Sequence, residues 1–230
     1  MTHHTVSVEL EDKPGALARV TQMFARRGYN IMSLAVGPTE RRGVSRLTLR
    51  VDCSENSFEQ IEKQMHKLVN VLRVVELAPG ESVERELALI TVTAPPERRG
   101  VSRLTLRVDC SENSFEQIEK QMHKLVNVLR VTELPPDESV ERELALITVA
   151  APADKRAELI SMTEIFGARV ADVGREAITF EIVGRPEELD AFEELVRPHG
   201  VRELVRTGRI GLRRPGSPKG QARQKTATVH

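Results

Sequence analysis

Leu10-Glu-Asp-Lys-Pro-Gly-Ala-Leu-Ala-Arg-Val20 and, one helix length later, Gly28-Tyr-Asn-Ile31 decide how the chain is read. The first stretch is a strand-to-helix turn. Before it, Thr5-Val-Ser-Val-Glu-Leu10 alternates apolar and polar residues, as a half-buried strand does. Pro14 sits where a first helical turn tolerates a missing N–H, and Gly15 falls in that turn. Leu17, Val20 and Phe24 then share a face, and Gly28 closes the helix as its C-terminal cap. Unpaired N–H groups at such a helix start attract an anion, and a residue without a side chain lets a carboxylate approach the backbone. Asp12 can accept from an ammonium group. Asn30 opens the next strand, expected beside the first, and its amide donates and accepts at once. An anion site, an acid and an amide suit a small zwitterion such as an amino acid. The same residues also read as plain capping, with Asp12 as N-cap, Gly15 tolerated and Asn30 in a turn. The residues alone leave both readings open.

Working outward, residues 31–36 read as a second strand, 37–43 as a turn and 44–51 as a third strand. Ser57 and Gln60 form a capping box ahead of the Phe58, Ile61, Met65, Leu68 stripe. Residues 71–77 make a fourth strand, so the order is βαββαβ. The pattern starts again further on: a strand at 144–149, a helix at 154–166 stopped by Gly167, and strands at 169–173 and 177–183. A helix opened by Pro186 with Leu189, Phe192 and Val196 on one face and a strand at 201–207 complete it. The fold class expected is α+β, with two tandem ferredoxin-like βαββαβ domains.

Between them lies a repeat. Residues 40–96 recur as 97–153 with only five differences, Val75/Thr132, Ala78/Pro135, Gly80/Asp137, Thr93/Ala150 and Pro96/Ala153. Solenoid repeats diverge more and recur more often, so a recent tandem duplication, or an error in how the sequence was assembled, fits better. The extra copy adds a β-β-α-β segment with no partner of its own. Completing the first domain with the first copy keeps its hairpin short, and the expected organisation follows. Residues 1–79 form the first domain, 80–138 the surplus segment, 139–212 the second domain, and 213–230 a disordered basic tail.

Composition narrows the function. Lys and Arg total 34, Asp and Glu total 34, and the formal net charge is zero, against a nucleic-acid binder. The strands at 31–36 and 44–51 lack the aromatic platforms of the RNA-recognition version of this fold. No apolar run reaches the roughly 20 residues of a membrane helix and no signal core opens the chain, which points to the cytoplasm. Cys53 and Cys110 are one position copied twice and read as buried, reduced thiols. His3 and His4 are assigned to an N-terminal arm, His66 and His123 to one solvated helix position copied twice, and His199 to a helix end before Gly200, where a cation is favourable. No catalytic or metal-binding motif occurs.

The stretch from Leu10 to Leu17 with Arg27-Gly-Tyr-Asn-Ile resembles the ACT domain, an amino-acid-sensing βαββαβ module. Arg26-Arg-Gly-Tyr-Asn-Ile31, the run from Ile61 to Val74, Glu84-Arg-Glu-Leu-Ala-Leu89, Thr163-Glu-Ile-Phe166 and Thr207-Gly-Arg-Ile-Gly-Leu212 resemble the small, regulatory subunits of acetolactate synthase. The resemblance runs in family order from residue 5 to about 214, interrupted by the duplicated block. It implies a subunit with no catalysis and no cofactor of its own. Its partner would be the large catalytic subunit, which carries thiamine diphosphate, Mg and FAD. It further implies a homodimer of side-by-side ACT domains with valine or another branched-chain amino acid at the interface. The effector contacts carried over by motif are Asp12, Gly15, Ala16, Leu17, Asn30 and Ile31. Neither nucleic acid nor membrane is implied as a partner. A free-standing ACT-type sensor with another partner is the alternative reading.

Overall fold

A computed structural model describes residues 2–53, 55–78, 82–85, 87, 105, 115–125, 128, 130–135 and 137–215. The described elements are, in chain order, β1 (Thr2–Glu11), α1 (Ala16–Arg26), β2 (Ile31–Pro38), β3 (Val44–Cys53), α2 (Glu55–Met65), β4 (Val71–Leu77), α3 (Phe115–Met122), β5 (Ser139–Ala150), α4 (Arg156–Phe166), β6 (Arg169–Val173), β7 (Ala177–Gly184), α5 (Pro186–Val196), a 3-10 turn (Arg197–His199), β8 (Val201–Arg206) and β9 (Ile210–Arg213). They divide between two compact units, one drawn from Met1–Leu87 and Glu143–Gly208, the other from Ala88–Arg142 and Arg209–His230.

Within the first unit, β1 to β4 form an antiparallel sheet in the order β2-β3-β1-β4. Period-2 alternation sends Val6, Val8 and Leu10 of β1 and Leu47, Leu49 and Val51 of β3 to one face. Helix α1 covers that face with Ala16, Val20 and Phe24, spaced four residues apart, and α2 with Phe58, Ile61 and Met65. Gly28 lies just beyond α1 at φ +71°, where its N–H and that of Tyr29 return to Ala25 and Phe24 and stop the helix. β3 belongs to the first repeat copy.

The second sheet has the order β6-β7-β5-β8, with β9 paired to residues 139–142 of β5. Its core gathers Ile147, Val149, Ile178, Phe180 and Ile182 from the strands with Leu159 from α4 and Leu189, Phe192 and Val196 from α5. Gly167 at φ +64° stops α4, and Pro186 opens α5, as expected.

Four expectations are corrected. β1 and β2 are not neighbours, because the connection through α1 leaves a gap that β3 fills. His4 is not in an arm. β1 starts at Thr2, and His4 is 7% exposed, stacked on Phe58 at 4.6 Å with Nδ1 2.6 Å from Glu76 Oε1. The strand expected at 144–149 is the twelve-residue β5. Its additional residues meet β9, a strand not expected at all, in which Leu212 stands opposite Val140. Gly15 is not in the first helical turn but precedes it. Of the surplus segment at 80–138, α3 and scattered residues are described; Cys110, the Ser57 side chain and tail residues 216–230 lie outside the described residues.

Charged side chains are buried where two strands bring opposite signs together. Glu9 and Arg46 face each other across β1 and β3, 3.1 Å apart and about 5% exposed. Arg41 adds a second cation to Glu9, and Arg46 also reaches Glu203 of β8 at 2.6 Å. Arg206 is held by Glu143 at 2.8 Å and Asp190 at 2.5 Å, which outweigh its desolvation and keep it charged. Pairs of this kind contribute little net stability, but removing one partner strands a buried charge.

Candidate functional site

β1 ends at Glu11, and the chain then turns sharply before α1. The Asp12 N–H donates to Gly43 O at 2.8 Å and the Lys13 N–H to Glu11 O at 2.9 Å. Ala16 N–H closes the turn onto Lys13 O at 3.1 Å. That geometry places Gly15, the N-cap residue, at φ +83°, a conformation only glycine adopts at no steric cost. No atom lies within 4 Å of the position a Cβ would take, so the glycine serves the backbone conformation rather than packing. No side chain caps α1. Arg19 N–H bonds Gly15 O, which begins the helical ladder. The N–H groups of Leu17 and Ala18 fall in the unpaired first turn and have no backbone acceptor among the described residues.

A side-chain chain braces the turn. Glu11 accepts from Lys13 Nζ at 3.1 Å and from Asn70 Nδ2 at 2.7 Å, while Asn70 Oδ1 accepts from Arg19 Nη1 at 2.5 Å. The Asn70 bond, then Lys13, holds the Glu11 carboxyl below the usual range. Asn70 also receives Glu11 N–H on its carbonyl, at 2.9 Å. Neither Asn70 nor Gly43 was singled out from sequence. An asparagine directly before a strand and a glycine directly before another were the signals available.

The six expected residues fall in two groups. Asp12 is exposed, Gly15 shapes the turn, Ala16 is buried beneath it, and Leu17 is half-buried against the core. Asn30 is exposed at the entry to β2, and Ile31 packs on the core opposite Val51. β3 separates the groups within one chain. β2 is an edge strand whose far end, at Val36 and Gly37, abuts Arg206 and Gly208. Its beginning pairs with β3 only among the described residues, and Met32 and Leu34 are exposed there. The turn therefore offers donors and an exposed carboxylate, and the strand offers an amide on an open edge. Among the described residues no group of three or more His, Cys, Asp or Glu could hold a metal, and no helix is long and apolar enough to cross a membrane.

Comparison with known proteins gives the family. A family model for the acetohydroxyacid synthase (AHAS) small subunit-like ACT domain matches residues 6–73, and one for the small subunit of acetolactate synthase matches residues 142–215. The acetolactate synthase small subunit of Mycolicibacterium smegmatis is 36% identical, over 94% of this chain and 93% of that one. The probable acetolactate synthase small subunit of Archaeoglobus fulgidus is 35% identical, over 91% and 95%. The crystal structure of the small subunit from Thermotoga maritima is 30% identical, covers 94% of this chain and all of that one, and has a TM-score of 0.35. The molecule is thus a non-catalytic regulatory protein with an ACT domain at residues 6–73. It belongs to the acetolactate synthase small-subunit family and acts as the regulatory subunit beside a large catalytic one.

Proposed function

We propose that the turn binds valine, or another branched-chain amino acid, between two copies of this chain, and that occupancy feedback-regulates the catalytic subunit in the cytoplasm. The observation that carries this is the turn at Gly15, whose left-handed backbone leaves the Leu17 and Ala18 N–H groups unpaired next to exposed Asp12. Those N–H groups and the positive end of α1 suit the ligand's carboxylate. Asp12 suits its ammonium group. Asn30 of a second copy completes the site, which fits its place on an open edge away from its own turn. Thiamine diphosphate, Mg and FAD belong to the catalytic subunit in this reading, and this chain supplies none of their ligands.

Regulation follows from linkage. Valine that favours one arrangement of the regulatory dimer shifts the population toward it, by a coupling of about 1–3 kcal/mol. If that arrangement activates the partner less, valine inhibits. Isothermal titration calorimetry of the folded, paired chain with valine, leucine and isoleucine tests the site. Binding heat with at least one of them is expected, and its absence for all three refutes the reading.

A further inference from the structure

Helices α1 and α2 run side by side over the first sheet, and the groove between them encloses about 720 Å³. Its apolar lining is Met23 and Leu68, both half-buried on the core. Its charged lining is Arg19, Arg26, Arg27 and Lys67, with no acid among the lining residues. Elsewhere in the domain Lys13 pairs with Glu11, Lys63 with Glu59, and Arg41 and Arg46 with Glu9, while the exposed Arg42, Arg50 and Arg73 do not line a groove together. Among the described residues Arg26, Arg27 and Lys67 lie within ion-pair distance of no carboxylate, and Arg19 bonds the neutral Asn70. Four cations thus gather at one groove of a chain whose net charge is zero.

The helix dipole accounts for part of this, since Arg26 and Arg27 sit at the C-terminal end of α1. It does not account for Arg19 in the first half of that helix, nor for the half-buried apolar lining. The repeat makes a useful comparison. Its second copy carries Gln121, Lys124 and Leu125 in place of Gln64, Lys67 and Leu68, but no second α1. The assembled groove therefore exists once.

We propose that this groove is a docking surface for the catalytic subunit and receives from it an acidic segment with at least one apolar anchor. The inference rests on the chain's role as a subunit of a two-subunit enzyme. Apolar anchor and cationic rim match the way an amphipathic segment lies in a helical groove. Complementary charge steers the encounter and sets its sensitivity to salt. The groove is lined from Arg19 onward along α1 and from Gln64 to Leu68, whereas Asp12 and Gly15 lie in the turn before α1 and Asn30 at the entry to β2, so docking and effector binding use different residues.

The test titrates the full chain into a fixed amount of catalytic subunit and follows acetolactate formation, with calorimetry against valine alongside. Arg26→Glu with Arg27→Glu is expected to raise the half-activating concentration by about tenfold or more, while any valine heat of the wild type is kept. Arg26→Lys with Arg27→Lys should stay within about threefold of the wild type, because charge rather than fork geometry is invoked. Lys67→Glu repeats the test at one site should the double variant fold poorly. Equal half-activation by the charge-reversed and wild-type chains would overturn the proposal. So would a change in self-association with activation unmoved, since the groove would then serve a second copy. Activation of the catalytic subunit by the wild type, with or without valine heat, separates this proposal from the effector reading.

Discussion

At the scale of single residues, Gly15 and Asn30 carry the sharpest expectations. Gly15 is held at φ +83° with open space where a Cβ would stand. Gly15→Ala therefore adds backbone strain without a collision, and a stability loss of about 1–2 kcal/mol is expected in denaturant unfolding. Gly15→Asn should lose less, because asparagine tolerates the left-handed region. Asn30 is exposed and outside both cores, so Asn30→Ala should leave the unfolding midpoint unmoved. In a reconstituted enzyme it should abolish valine inhibition and keep activation; full valine sensitivity would place the site elsewhere. Glu11 adds a pH signature. Its carboxyl titrates below the ordinary range because Asn70 and Lys13 favour the charged form. The bracing it gives the turn is present above the unfolded carboxylate pKa and is lost as pH falls through the lower folded value. NMR titration should find that value raised in Asn70→Ala.

At the scale of elements, the sequence was most legible where one periodicity acted alone. α1 announces itself through Leu17, Val20 and Phe24 and through Gly28; the structure buries Val20 and Phe24, leaves Leu17 half-buried against the same core and sets Gly28 just beyond the helix. Phe24 is fully buried, and Phe24→Ala should cost about 3–5 kcal/mol in chemical denaturation. What pattern could not show was adjacency. Alternation identifies β1 and β2 as strands but not that β3 inserts between them, so the sequence alone sets Asn30 closer to its own turn than the fold does. The same limit hid His4, whose burial depends on Phe58 and Glu76, more than fifty residues away. Gly37 shows an element boundary set by packing. A Cβ there would stand 2.4 Å from the Arg206 carbonyl oxygen, a backbone atom that cannot rotate away. Gly37→Ala should therefore part β2 from β8 and lower stability by about 1–3 kcal/mol; an unchanged melting midpoint would disprove that contact.

At the scale of the whole molecule, the repeat is an experiment the chain performs on itself. Ser82-Val-Glu-Arg85 and Ser139-Val-Glu-Arg142 are identical, yet the first has no strand while the second pairs with β9. Local preference cannot distinguish them, so the partner decides: β9 exists once, and only one copy can have it. The first sheet likewise takes its third strand from 44–53 and needs no other. Both folded sheets are thus assembled without α3, which implies that one repeat is dispensable. Deleting residues 82–138 joins Glu81 to Ser139, restoring a junction present in each copy, and keeps β1 to β4 and β5 to β9 intact. The shortened chain should activate the catalytic subunit and bind valine within about threefold of the full chain, because every residue assigned to the turn, the β2 edge and the α1–α2 groove remains. It should also aggregate less on heating, as it loses the copied apolar residues, of which Leu125 is 57% exposed. Loss of activation by a folded deletion variant would mean that the extra copy is itself part of the regulatory surface.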